Sequence, residues 1–267
     1  MPTMKAGPGR ALLYSGVVAW DPSQPTTDGG VLPDHWYRSD SGLWQDAGIT
    51  PAVLDGAVVG RWEDLTANAD HVNQAVVANK PTLQNGAGDL LNGQPVVRID
   101  GAIDYLQGAY TTGGAMNQPN TFFVVAALDA AAVNDGVFRF VIGSDDVINR
   151  ADLRQDPTAA PDTWGMHGGA NLASAVASNA NWNIWTALFN GAGSQLWHNG
   201  VSLVVGNAGA NNPDGLVVGV YIGGINTTHW DGDITEIILY DANLSNADKN
   251  QVGNYLATRY ALAYTDI

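Results

Sequence analysis

The chain has 267 residues, is 45% hydrophobic with nine Trp, and carries 11 basic against 26 acidic side chains for a net charge of −15. That balance excludes a phosphate-tracking nucleic-acid binder and a protein that docks on anionic lipid, since both need clustered Lys and Arg. No apolar run is long enough to span a bilayer, and the absence of cysteine rules out disulfides and thiolate metal sites.

Of the acidic residues only Glu63 and Glu236 are Glu. Asp is a turn and cap residue whereas Glu favours helix interiors, so the imbalance points to a strand-rich, loop-rich chain. From Met1 to Trp20 there is no basic stretch followed by an unbroken apolar one, so no signal peptide is visible. Residues 1–50 are dominated by Pro, Gly, Ser and Asp, with strand-like material at 12–20 and with Trp36, Tyr37 and Trp44 set among turn residues. This predicts an irregular N-terminal extension, residues 1–50, that packs on a sandwich formed by residues 51–267 or clasps a neighbouring copy.

Beyond it, turn dipeptides recur at Asp55-Gly56, Asn85-Gly86, Asn92-Gly93, Asp100-Gly101, Asp135-Gly136, Asn199-Gly200, Asp214-Gly215 and Asp231-Gly232. Such pairs supply the positive φ angles that tight hairpins need. Between them lie short β-branched and aromatic runs at 121–128, 137–142, 182–189, 195–198, 216–222 and 234–240. Many short strands punctuated this way predict an all-β, two-sheet antiparallel sandwich. The best hairpin spans 194–206, where Trp197 and His198 must point to opposite sides. One helix is expected over 246–260. Ser245 and Asp248 form a capping-box pattern, and Val252, Tyr255, Leu256 and Tyr260 make one apolar stripe for packing on a sheet.

Three stretches, taken with their order and spacing, resemble the laminin-G-like, concanavalin A-like jelly-roll superfamily. They are VVGRWEDL at 58–65 followed by Lys80-Pro81-Thr82-Leu83, NGQPVVRIDGAIDYL at 92–106, and residues 221–260 with WDGDITEIILYDANLS and a helix ending in TRY. The LWHNG hairpin at 196–200 is similar to that family's "LYVNG", and the likeness covers residues 55–261. It implies a jelly roll of two stacked sheets, closed by the C-terminal helix, with a face that in relatives often binds glycans or proteins. Copies with this pattern are frequent in bacteriophage structural proteins and bacterial surface proteins.

Laminarinase-like relatives on this fold carry two Glu on one strand as Glu-x-Asp-x-Glu, which sets a nucleophile and an acid/base on one sheet face. In Asp231-Gly232-Asp233-Ile234-Thr235-Glu236, Asp231 and Asp233 share a strand face while Glu236 has the opposite parity. No Gly-x-Ser-x-Gly elbow is present, and His35, His71, His167, His198 and His229 lack metal-ligand spacing. The candidate glycan contacts are Trp164 and His167 in a loop-like setting, and His229, Trp230 and Asp231; Trp230 also reads as a buried edge of the closing strand. Trp20, Trp62, Trp182, Trp185 and Trp197 read as packing residues. No cofactor is required. Calcium is a candidate ligand at Asp145-Asp146 and at Asp231 and Asp233. Asn226-Thr227-Thr228 and Asn243-Leu244-Ser245 match the N-glycosylation pattern, the second already explained by the start of the helix.

With no catalytic constellation and no export signal in view, the expected function is a non-enzymatic binding or structural protein. The form expected is a bacteriophage virion component on the particle surface, as capsid decoration or a tail-associated host-recognition module. Its partners would be other virion proteins, further copies of itself (a trimer) and a cell-surface glycan, with no nucleic acid and no membrane insertion. The alternatives are a free-standing bacterial carbohydrate-binding lectin module and a polysaccharide hydrolase.

Overall fold

Asn199 and Gly200 both adopt left-handed backbone, with φ of 50° and 78°, the angles that close a two-residue hairpin. A side chain at Gly200 would run into the Thr265 carbonyl, so this turn also lets the C-terminal tail cross close by. The hairpin belongs to a sandwich seen in a computed structural model that describes residues 19–112, 114–224 and 228–267.

In chain order the strands are β1 (His35–Arg38), β2 (Leu43–Trp44), β3 (Arg61–Trp62), β4 (Val72–Asn73), β5 (Thr82–Gln84) and β6 (Val96–Asp100). Then come β7 (Leu106–Ala109), β8 (Asn120–Leu128), β9 (Arg139–Gly143), β10 (Asp152–Asp156), β11 (Thr163–His167) and β12 (Asn171–Ala177). The last are β13 (Asn183–Phe189), β14 (Ser194–His198), β15 (Val201–Gly206), β16 (Gly215–Val218) and β17 (Asp231–Tyr240), before the helix α1 (Asn246–Tyr260). Among the described residues they form two antiparallel sheets. One has eight strands in the order β15-β14-β13-β8-β17-β6-β5, with β1 also pairing β17; the other has nine, β12-β11-β10-β9-β16-β7-β4-β3-β2.

The period of two along β8 shows how the layers are held. Phe122, Val124, Ala126 and Leu128 face the other sheet and join a core with Val141, Leu153, Trp164, Met166, Leu216 and Val218. Phe123 and Val125 face outward, where Val252, Leu256 and Tyr260 of α1 cover them. Each buried Val, Leu, Phe or Met among them contributes about 1.5–3 kcal/mol by leaving water. The centre of the eight-stranded sheet is therefore buried on both faces, and among the described residues no helix covers the outer face of the nine-stranded sheet. At the hairpin, His198 turns inward against Trp164 and Trp185 while the Lys249 ammonium lies over the outward Trp197 ring.

The start of α1 matches its sequence signal in part. The Ser245 hydroxyl accepts the Asp248 N–H at 3.1 Å. The Asp248 carboxylate does not reinforce the cap; it accepts the N–H groups of Asp28 and Gly29 at 2.9 and 2.8 Å and so ties the early chain to the helix. That early chain is more regular than expected. Trp36 and Tyr37 lie in β1 and Trp44 in β2, so residues 35–44 add strands to both sheets. The strand-like residues 12–18 lie outside the described residues. Of the packing tryptophans, Trp62, Trp185 and Trp197 are buried and Trp20 and Trp182 are half-buried. The run predicted over 216–222 stops at Val218 and continues through a 3-10 turn at Ile222–Gly224. Among the described residues no helix is long and apolar enough to cross a membrane.

Candidate functional site

β10 reads Asp-Leu-Arg-Gln-Asp. Its period of two sends Leu153 into the core and puts Asp152, Arg154 and Asp156 together on the uncovered outer face. The neighbouring strands complete that face. Phe140 of β9 lies opposite Arg154, His167 of β11 opposite Asp152, and Asn171 of β12 opposite His167.

The charges interlock. Arg154, 2% exposed, pairs with Asp152 through one η nitrogen and with Asp156 (3.1 Å) and the Asn171 Oδ1 (2.6 Å) through the other. Burial alone would raise the Asp156 carboxyl, but hydrogen bonds from Thr158 and the Arg154 charge hold it below its ordinary value. Arg150 gives its Nε–H to Asp152 at 2.5 Å and lays its guanidinium 4.1 Å from the Tyr221 ring centre and 5.3 Å from that of Phe140. Arg154 sits 5.3 Å from Phe138 and 5.5 Å from Phe140. The result is a rigid lattice of guanidinium groups and rings.

Above this lattice is an open groove of about 450 Å³, lined by Phe138, Phe140, Arg150, Arg154, His167, Asn171, Tyr221 and Thr228. The His167 Nδ1 accepts the Gly169 N–H at 3.1 Å, which places the proton of the neutral ring on Nε2. Burial chiefly, then the Arg150 and Arg154 charges, push the imidazole pKa down despite Asp152, so the ring is neutral at pH 7. The groove thus offers half-buried ring faces, a neutral imidazole, an amide and the Arg150 guanidinium, held from below by Asp152 and Arg154.

Of the sequence candidates, His167 alone lies in this groove. Trp164, expected in a loop, is in β11 and 1% exposed, meeting Trp185 edge-on at 4.7 Å. Trp230 is fully buried and meets Trp185 at 6.4 Å. Neither offers a face to a sugar. His229 is buried, with Nδ1 2.9 Å from the Asp104 carbonyl oxygen, and Asp231 lies on the outer face of the other sheet. The four calcium candidates fall in two places. Asp146 accepts the N–H groups of Ile148 and Asn149, and Asp145 is pushed up to about 6 by burial and by Asp214. Asp233 of β17 is held by Arg98 at 2.8 Å. Among the described residues no group of three or more His, Asp or Glu is arranged to hold a metal. Of the glycosylation patterns, Asn226-Thr227 falls outside the described residues, and Ser245 serves as the helix cap.

Glu236 does not have the opposite parity that simple alternation predicts. Pairing between β17 and β8 slips between Ile234 and Glu236, leaving Thr235 as an extra residue. Beyond this bulge Ile237 and Leu239 point inward, so Glu236 shares the outer face with Asp231 and Asp233. It is nonetheless sealed. Trp36 Nε1 donates to Oε1 at 2.6 Å, Tyr255 OH to Oε1 at 3.0 Å and Tyr260 OH to Oε2 at 2.8 Å, with Arg259 3.5 Å away. The side chain is fully buried, and burial raises its pKa against the pull of these donors. A clamp under α1 describes it, not a proton donor to substrate.

Burial also lifts Asp104, aided by Asp100, up to about 7. A carboxyl raised on folding binds its proton more tightly in the folded state, so its contribution is present below the unfolded value and is lost as pH rises through the folded one. Buried His198, pushed down to about 3, acts in the opposite sense below pH 6.5. Comparing Asp104→Asn with the parent isolates the carboxyl. The variant is expected to gain about 1–3 kcal/mol on the parent between pH 4 and pH 8 in urea unfolding; parallel stability curves would exclude this.

No protein-family model matches this sequence, and no curated protein matches it either. Among solved structures, the sialidase of Trypanosoma rangeli in complex with sialic acid is similar, with a TM-score of 0.56 and 12% identity over 88% of this chain and 34% of the sialidase chain. An arabinofuranosidase complexed with arabinofuranosyl-α-1,2-xylobiose gives 0.54 and 15% identity over 76% of this chain and 51% of that one. The chain therefore spans about a third of the sialidase and half of the arabinofuranosidase. At such identities the likeness is one of fold. It nonetheless overturns the expectation of a non-enzymatic virion component: the similar chains are a sialidase and an arabinofuranosidase, and none of the described residues points to a bacteriophage particle.

Proposed function

We propose that this chain is a carbohydrate-active protein of concanavalin A-like jelly-roll form, and that the groove over β9–β12 holds a glycan. One observation carries the reading: ring faces of Phe138 and Tyr221 stand beside fixed donors and acceptors in an open channel of about 450 Å³. Pyranose and furanose rings present apolar C–H faces and a rim of hydroxyls, and a site with both features matches them. The likeness to sialidase and arabinofuranosidase chains supports the same class.

Titration calorimetry against sialyllactose, arabino-oligosaccharides, xylo-oligosaccharides and uronic-acid oligosaccharides tests it. At least one is expected to bind, and Tyr221→Ala and Phe138→Ala are each expected to weaken binding about tenfold or more, which corresponds to about 1.4 kcal/mol. Reducing-end release in the same samples reports whether bond cleavage occurs on this chain. A protein that binds none of these sugars, or binds them equally well without both rings, does not use the groove as proposed.

A further inference from the structure

Arg150 differs from every other charge in the groove. Arg154 is spent: its Nε and both η nitrogens go to Asp152, Asp156 and Asn171. Arg150 commits only Nε, to Asp152. Among the described residues its two η nitrogens donate no hydrogen bond. The side chain is 19% exposed at the groove rim, where Asp152 holds one edge of the guanidinium and the Tyr221 ring supports one face at 4.1 Å. Asp152 and Asp156 are fully buried beneath and already answered by Arg154. What the groove shows to a ligand is therefore a pre-oriented cationic fork on an aromatic shelf.

A planar fork with free η nitrogens is the group best matched to a carboxylate, which it takes through two parallel hydrogen bonds. From this we infer that the groove selects sugars bearing a carboxylate, with Arg150 the specificity-determining residue. The inference rests on the groove being a glycan site. The surrounding charge of −15 works against it at long range, so recognition has to be local, within about one Debye length of ~8 Å at physiological salt. A short oligosaccharide is the right probe, since a long polyanion would feel the whole surface. The carboxylate could belong to a uronic acid or to a sialic acid, and each needs its own arm.

The test compares trigalacturonate with its methyl ester and sialyllactose with its carboxyl methyl ester, by calorimetry on the intact chain. The free acid of one pair is expected to bind at least tenfold more tightly than its ester, and the responding pair identifies the sugar. In Arg150→Met the acid-to-ester ratio is expected to fall to near one. Arg150→Lys, which keeps the charge but not the fork, is expected to retain an intermediate ratio. Equal binding of acid and ester overturns the inference while leaving the glycan site standing. Binding of neutral oligosaccharides with no acid preference does the same, and no sugar binding at all overturns both.

Discussion

Replacing Glu236 with leucine is expected to cost about 3–5 kcal/mol of stability, measured by urea unfolding at pH 7. The carboxylate is the common acceptor for Trp36, Tyr255 and Tyr260 and lies beside Arg259. It joins β1, β17 and both turns of the C-terminal half of α1. Leucine fills much of the volume but strands three buried or half-buried donors, each costing about 1–3 kcal/mol when left without a partner. Those costs overlap, and the leucine gains some transfer energy, so the net falls below their sum. Glu236→Gln keeps one good acceptor and is expected to cost less, about 1–2 kcal/mol. The same variant separates clamp from catalyst. Any glycosidic activity of the folded protein should survive Glu236→Gln, and selective loss of turnover with full stability would return Glu236 to the list of acids.

What the sequence made legible was what local chemistry decides. The Asn199-Gly200 hairpin, the Ser245 cap and the alternation along residues 121–128 each place their element within a residue or two. Elements decided by distant partners were harder to see. His-Trp-Tyr-Arg of β1 is framed by Pro33, Asp34, Ser39 and Asp40, which read as turn chemistry; only its pairing along β17 makes it a strand. Trp164 sits between Asp162 and Gly165 and looks like a loop tip, yet the opposite sheet buries it.

The groove was invisible for a further reason. Asp-Leu-Arg-Gln-Asp has little intrinsic preference for a strand, and nothing local says that three charges will face outward and be buried at once. In retrospect its period-two charge pattern was the available signal. Other lining residues, among them Phe138, Asn171 and Tyr221, come from separate segments, so no contiguous motif exists to be recognised. The face taken by Glu236 is hidden for the same reason: a bulge depends on register against β8, and register is a property of two strands.

Arg154→Met is the second large expected effect, again about 3–5 kcal/mol, because it leaves two fully buried carboxylates without their shared cation. Arg150 still answers Asp152 and Thr158 still answers Asp156, which places the cost toward the lower end. Combining Arg154→Met with Asp152→Asn and Asp156→Asn removes the stranded charges and is expected to recover at least half of the loss, since buried ion rows are often no better than neutral packing. Stability alone therefore does not explain a row of charges on an uncovered sheet face. If the row orients Arg150 and the rings for a sugar, the triple variant should regain stability while its glycan affinity stays at least tenfold below the parent. A triple variant that regains both would remove Asp152, Arg154 and Asp156 from the site and leave the rings and Arg150 to act without them.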